Sequence, residues 1–329
     1  MTDLRKYKKY NLAVLILFIT LFAIYSILNL FFYKDYGVSL WLHNLYNNKF
    51  EYANSIKKTK IVMVGGSNVL FSIKGQDIEK ELKIPVVNVG SNAGLGLIYI
   101  LDRAKKDFIK PGDTVLLSLE YNLFNNGIDA SDVLFKYVLS YDRDYFNKLS
   151  SKQKFAGYMT ISTKDLSKSL IVGQEVKKNG LKVVADATYD AKNLNLNGDQ
   201  LMNIGQKTGD FNKRNVVITD LKVHLNYGKA SMKELIKFIT WCKNNNVKII
   251  YTFPTVPFHK EYSTPDNEKL RTDLKKFFTE NNIPVLNTNE ITYMTNDKFY
   301  DTGYHLNYVG REIRTAVILR ELKKLKIDN

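Results

Sequence analysis

The chain has 329 residues, a formal net charge of +15, 45% apolar residues and 25% charged ones. That much apolar material excludes a mostly disordered chain and is enough for a sizeable core. The single cysteine, Cys242, excludes an internal disulfide framework and any cysteine-rich zinc or iron–sulfur site. The four histidines, His43, His224, His259 and His305, do not cluster, and no His-Glu-x-x-His pattern occurs.

Residues 12–32 read LAVLILFITLFAIYSILNLFF and carry no charge. As a helix they span about 30 Å, the thickness of a hydrocarbon core. Arg5, Lys6, Lys8 and Lys9 precede the run, while Lys34 and Asp35 nearly cancel after it. The positive-inside rule therefore predicts a cytoplasmic basic tail over 1–11, a single-pass cell-membrane anchor over 12–33, and an extracytoplasmic C-terminal domain. No small-x-small cleavage site follows Phe32, so the anchor is expected to be retained. Most of the excess positive charge lies beyond the anchor. It suits anionic lipid headgroups or an anionic glycopolymer, although the general richness in Lys, Asn, Ile and Tyr accounts for it equally well. Outside the membrane, nucleic acid is not an expected partner.

Residues 34–57 are expected as a juxtamembrane stalk or helix. An α/β domain is then predicted over 58–329. Lys60–Val64 reads as a buried strand ending in Gly65-Gly66-Ser67, followed by a helix over 74–82. Val86–Val89 is a second strand, 94–109 an amphipathic helix stopped by Pro111-Gly112, and Thr114–Leu119 a third strand. This alternation predicts a parallel sheet with helices on both faces. An elaborated insert is expected around 130–225, helical in parts of 131–148 and 165–180. Within it, the Asn-, Gly-, Asp- and Lys-rich stretch 185–223 reads as a long loop or lid. Order returns with a helix over 231–244, a strand over 247–253, a helix over 267–281, a short strand over 284–286 and a terminal helix over 308–325.

Ligands of open parallel sheets bind beyond the carboxyl ends of the strands. Ser67 lies there, and the glycines before it allow a tight turn. It reads either as a nucleophile or as a plain helix N-cap. The surroundings match neither a G-x-S-x-G elbow nor a Walker A loop. The second strand ends in Asn88-Val89-Gly90-Ser91-Asn92, where the Gly90 N–H is a candidate oxyanion donor. The third ends in Glu120-Tyr121-Asn122, and the Asn122 side chain is a second candidate, with Asn92 as its alternative. A serine nucleophile needs a base, and the base an orienting carboxylate. His305 and Asp301, four residues apart before the last helix, supply both, with His259 as the competing base.

Together, Gly65-Gly66-Ser67, Gly90, Asn122 and Asp301…His305 resemble the SGNH/GDSL hydrolase superfamily. The resemblance covers about residues 58–320 in short blocks. It implies a flavodoxin-like three-layer α/β fold, with Ser67 as nucleophile, His305 as base and Asp301 as its orienter. The Ser67 N–H, Gly90 and Asn122 would form the oxyanion hole, and no metal or organic cofactor is implied. The usual Gly-Asp-Ser is Gly-Gly-Ser here, Asp-x-x-His is longer by one residue, and the Gly-x-Asn-Asp block is missing. With its N-terminal anchor, the chain looks most like the membrane-anchored subgroup that includes the D-alanyl transfer protein of teichoic acid modification and proteins of polysaccharide O-acetylation. That likeness implies acyl transfer to a surface glycopolymer beside a multipass membrane O-acyltransferase. An exported carbohydrate O-acetylesterase and a non-catalytic scaffold of an envelope complex are the alternatives.

Overall fold

The computed structural model describes residues 2–124, 131–179, 189–205, 221–260, 264 and 268–327. In chain order it contains α1 (Thr2–Phe32), α2 (Val38–Ser55), β1 (Ile61–Val64), α3 (Ser67–Ser72), α4 (Gly75–Leu82), β2 (Val86–Asn88), α5 (Gly96–Asp107) and β3 (Thr114–Leu117). Next come α6 (Asp132–Tyr141), α7 (Arg143–Lys148), α8 (Ser151–Tyr158) and α9 (Thr163–Asn179). The chain closes with α10 (Ala230–Asn244), β4 (Lys248–Tyr251), β5 (Val256–Pro257), α11 (Lys269–Glu280), β6 (Tyr293–Met294) and α12 (Tyr308–Lys324). Two compact units emerge: Met1–Leu40 with Asp132–Val183, and Trp41–Ser131 with Val184–Asn329.

The second unit is the α/β domain. Its sheet has the order β2-β1-β3-β4, all parallel, with Val62 opposite Val87 and Val115, and Leu116 opposite Ile250. The strand expected over 284–286 contributes only one parallel bridge, Tyr251 to Val285, which extends the order at the β4 edge. The order β2-β1-β3-β4, followed by the bridged segment at Val285, is that of flavodoxin-like doubly wound sheets. Side chains alternate across the strands, so each strand feeds two cores. Ile61, Met63, Val86, Leu116 and Ile250 pack with Val69, Ile78, Ile318 and Leu322 of α3, α4 and α12. On the other face, Tyr251 stacks on Phe278 of α11 at 3.9 Å, and α5 and α10 pack together beside β1 and β4. Burying each such aliphatic side chain is worth about 1.5–3 kcal/mol. The parallel pair of β5 with β6 was not anticipated, because two-residue strands leave no periodicity to read.

From Trp41 onward α2 belongs to this domain, with Leu42, Leu45, Tyr46, Lys49 and Ala53 buried. Its residues 41–55 are therefore a packed helix rather than an extended stalk. The stretch 189–205 is a loop packed against the sheet. Asn197 O accepts the Asn88 N–H at 2.7 Å and its side-chain amide donates to Val86 O at 2.9 Å, so this segment covers the edge of β2. Asp199 is fully buried and accepts the Gly75 and Gln76 N–H groups at the start of α4, at 2.8 and 3.0 Å. Residues 180–188 and 206–220 of the expected insert lie outside the described residues.

The first unit is helical. On one face of α1, Phe22 packs on Phe155 of α8, Tyr25 bonds Ile161 O between α8 and α9, and Asn29 is buried, as is Tyr33 just past the helix. Lys6–Phe32 is long and apolar enough to cross a membrane, and little of it is buried in protein.

Candidate active site

The carboxyl end of β1 runs straight into the turn that carries Ser67. A Cβ on Gly65 would lie 2.0 Å from Ser118 O, so only glycine lets β1 pass β3 this closely before turning. The residue in the N-cap position of α3 is Gly66, with no side-chain cap. Ser67 is thus the first residue of the helix and its hydroxyl is not the cap, which removes the simplest structural role for it.

The cap is supplied by Glu120, just past β3. This carboxylate is fully buried and accepts the Gly66 N–H at 3.1 Å and the Asn68 N–H at 2.8 Å. The Ser67 hydroxyl donates to it over a long 3.4 Å. The Ser67 N–H lies between the two bonded N–H groups and has no partner among the described residues. Behind the turn, the guanidinium of Arg314 bonds Asn68 Oδ1 at 3.2 Å, Ser118 Oγ at 2.9 Å and Phe253 O at 3.1 Å. Complete burial pulls the Arg314 guanidinium down to about 10, partly offset by the attraction of Glu120, so it stays charged at neutral pH.

Asp301 and His305 meet on a hairpin closed by the antiparallel bridge between Phe299 and Leu306. Asp301 Oδ1 lies 2.6 Å from His305 Nδ1, and Asp301 Oδ2 accepts the Tyr189 hydroxyl at 2.8 Å. The hairpin lets a four-residue spacing bring the two side chains together. The imidazole stacks on Phe71, with centroids 4.1 Å apart and planes within 9°. Ser67 and Phe71 are four residues apart on α3, so they share one face of the helix. The Ser72 hydroxyl fixes the hairpin to α3, donating to Tyr304 O at 3.0 Å and accepting the Leu306 N–H at 3.1 Å. The Tyr121 N–H donates to the Tyr304 hydroxyl at 3.2 Å, tying in the β3 end. His305 thus stacks on the residue one helical turn after Ser67, and no hydrogen bond joins the Ser67 and His305 side chains.

The oxyanion candidates are placed unequally. Gly90 packs against α3, where a Cβ would come within 2.4 Å of Leu70 N. Its N–H already donates to Asn88 Oδ1 at 2.9 Å, so it is not a free donor in this arrangement, contrary to the sequence expectation. Asn92 uses its Oδ1 to cap a short turn through the Gly94 N–H at 2.7 Å, which leaves its amide NH2 unengaged. The Asn122 side-chain Oδ1 is buried without a partner, which is unused acceptor capacity and does not itself mark the donor an oxyanion needs. Of the other histidines, His224 pairs with Asp273 at 2.9 Å, but its side chain is 71% exposed against 8% for His305. His259 lies beyond β5, on no element that carries Ser67 or Asp301.

Sequence reasoning missed Glu120, Phe71, Tyr189 and Arg314. Glu120 left one signal, a carboxylate closing the apolar run TVLLSLE. No metal-binding group of three or more His, Cys, Asp or Glu occurs among the described residues.

No protein-family model and no curated protein matches the chain. Solved structures similar to it include protein YxiM from Bacillus subtilis, at 15% identity with a TM-score of 0.38. That alignment covers 82% of this chain, which spans 58% of the length of the other. Another is a GDSL-like lipase from Bacteroides thetaiotaomicron, at 13% identity with a TM-score of 0.36, covering 86% of this chain and 99% of that one. Both scores are below 0.5, and the α/β assignment rests on the strand order itself.

Proposed function

We propose that the chain is a serine-dependent O-acyltransferase of the SGNH type, held at the membrane by α1 and acting on hydroxyls of an extracytoplasmic glycopolymer. The observation that carries this reading is the His305–Asp301 pair, bonded at 2.6 Å and stacked on the α3 face that begins with Ser67. Asp301 holds the Nδ1 proton, which leaves Nε2 as the base. Nε2 takes the Ser67 proton as Oγ attacks the acyl carbonyl. The Ser67 N–H and the amide of Asn122 or Asn92 receive the developing negative charge. The protonated imidazole then gives its proton to the leaving group. In the second half Nε2 takes the proton of a sugar hydroxyl as its oxygen attacks the acyl-serine carbonyl, and the protonated imidazole returns that proton to Ser67 Oγ as the acyl–oxygen bond to serine breaks.

Transfer rather than hydrolysis requires an acyl donor and a supply route across the bilayer. A multipass membrane O-acyltransferase is the partner that fits a single-pass anchor. The basic surface favours an anionic glycopolymer as acceptor. Water as acceptor makes the same site a carbohydrate O-acetylesterase. The non-catalytic reading draws support from the long Ser67–Glu120 contact and the missing Ser67–His305 bond, although such bonds often tighten only when substrate binds.

The test is intact mass spectrometry of the full chain in detergent after exposure to p-nitrophenyl acetate, with ester turnover followed in parallel. An acetyl adduct or turnover that disappears in Ser67→Ala and His305→Ala establishes the nucleophile and base, and added glycan then separates transferase from esterase. Turnover equal to wild type in folded Ser67→Ala would overturn the reading.

A further inference from the structure

The helical insert is joined to the anchor at a depth that matters. Phe155 of α8 packs on Phe22 with ring centroids 4.7 Å apart, and Tyr158 meets the same ring edge-on at 6.5 Å. The Tyr25 hydroxyl donates to Ile161 O, in the turn between α8 and α9. Farther up, the Lys34 N–H donates to Ser169 Oγ at 2.7 Å. Contacts at 25, 34 and 36 on the anchor side therefore match 161, 169 and 173 on the insert, so α9 climbs alongside the end of α1. The lowest contact is that of Phe155 and Tyr158 of α8 with Phe22.

Phe22 lies ten residues before Phe32, which is about 15 Å along a helix. A hydrocarbon core is about 30 Å thick, so a bilayer that covers residues 12–32 reaches the level of Phe22 and beyond. Whatever surrounds Phe22 also surrounds Phe155. The insert is built for such contact: Phe155, Met159, Leu170 and Ile171 are between 44% and 60% exposed, a high value for large apolar side chains. Ile24, Ile27 and Phe31 of α1 are exposed as well. Lys152, Lys164 and Lys168 flank them and are exposed; Lys168, one residue before the Ser169 that bonds the Lys34 N–H, is nearest the end of α1 and so nearest anionic headgroups.

We propose that α8 and α9 are seated in the same bilayer that α1 crosses, with Phe155, Met159, Leu170 and Ile171 against acyl chains and Lys168 among headgroup phosphates. The anchor is then a small helical wedge rather than a lone helix. This rests on the reading of α1 as a membrane span, and the experiment separates the two.

The full chain is reconstituted into phosphatidylcholine vesicles with and without phosphatidylglycerol. A fluorophore is attached at Ile19→Cys, Met159→Cys, Ile171→Cys or Lys276→Cys; the native Cys242 is buried. Nitroxides on acyl chains, and iodide in the water, serve as quenchers. The expected result is strong acyl-chain quenching and iodide protection at 19, 159 and 171, with the reverse at 276. Anionic lipid should deepen the signal at 159. Acyl-chain quenching at 19 with iodide access at 159 and 171 would overturn the wedge and leave the anchor. That outcome is also the one expected if another protein normally covers this face. Iodide access at 19 as well would overturn both. Met159 and Ile171 are exposed, so their replacement does not threaten folding.

Discussion

Glu120 offers the sharpest test of how the candidate site is built, through the substitution Glu120→Gln. The wild-type carboxylate accepts two backbone N–H groups, from Gly66 at 3.1 Å and Asn68 at 2.8 Å, with no exposure to solvent. Hydrogen bonds to a charged group contribute about 1.5–3 kcal/mol each. Glutamine has one acceptor oxygen. Turned to Asn68, it keeps a neutral bond worth about 1 kcal/mol and aims its NH2 at the Gly66 N–H, leaving that donor buried and unpaired. It also removes the negative charge that offsets the buried Arg314. The expected loss is about 2–4 kcal/mol, with the 3.4 Å contact to Ser67 left out. For a unit of this size each kcal/mol lowers the melting midpoint by about 2–4 °C. The midpoint should therefore fall by roughly 5–15 °C, read by thermal unfolding of the detergent-solubilised chain. A fall under about 2 °C would mean that Glu120 does not hold the Ser67 turn, and the account of the α3 cap would be wrong.

Four further outcomes follow from the same geometry. Asp301→Asn should lower ester turnover by about 10²–10⁴-fold while His305 keeps its stack on Phe71; activity within twofold of wild type would show that Asp301 does not orient the base. Asn122→Ala should cut turnover by about 10²-fold or more with little change in KM if its amide holds the oxyanion; if Asn92→Ala does so instead, the donor is Asn92. Gly65→Ala forces a Cβ to within 2.0 Å of Ser118 O and should abolish soluble folded protein in expression trials, so recovery at wild-type yield would refute the close strand approach. Lys49 is buried with its ammonium on Gly90 O at 2.5 Å, and burial lowers it from 10.5 to about 7. Between those values the unfolded chain holds the proton and the folded chain does not, so stability rises with pH across that window, by an order-of-magnitude total of roughly 5 kcal/mol. Melting curves should show wild type gaining on Lys49→Met as pH rises from about 7 to about 10, and parallel curves would refute it.

The sheet was legible because strands buried on both faces are dominated by apolar residues: IVMV, VVN and TVLL all stand close to where the sequence places them. Asp301 and His305 were legible as a pair because their chemistry is local, four residues on one hairpin. What escaped is long-range and polar. Nothing near Glu120 in sequence announces that it bonds Gly66 and Asn68, and nothing in the Asn-rich stretch 189–205 announces a buried edge cover. A run of Asn, Asp and Gly reads as solvated loop, yet here Asn197 and Asp199 are buried because each bonds backbone groups of β2 or α4. The same polar atoms satisfy water or a neighbouring main chain, and composition alone does not choose between them.

The division of the chain was hidden for a related reason. Read linearly, 12–33 is expected as an anchor and about 130–225 as an insert of the domain that follows. In three dimensions, Tyr25, Leu30 and Lys34 bond to Ile161, Arg143 and Ser169, so the end of α1 and the first part of that insert, to about residue 183, form one helical unit. These are main-chain and side-chain bonds at the end of an apolar helix, where an unpaired polar group is costly. They make the end of α1 a fixed element of that helical unit.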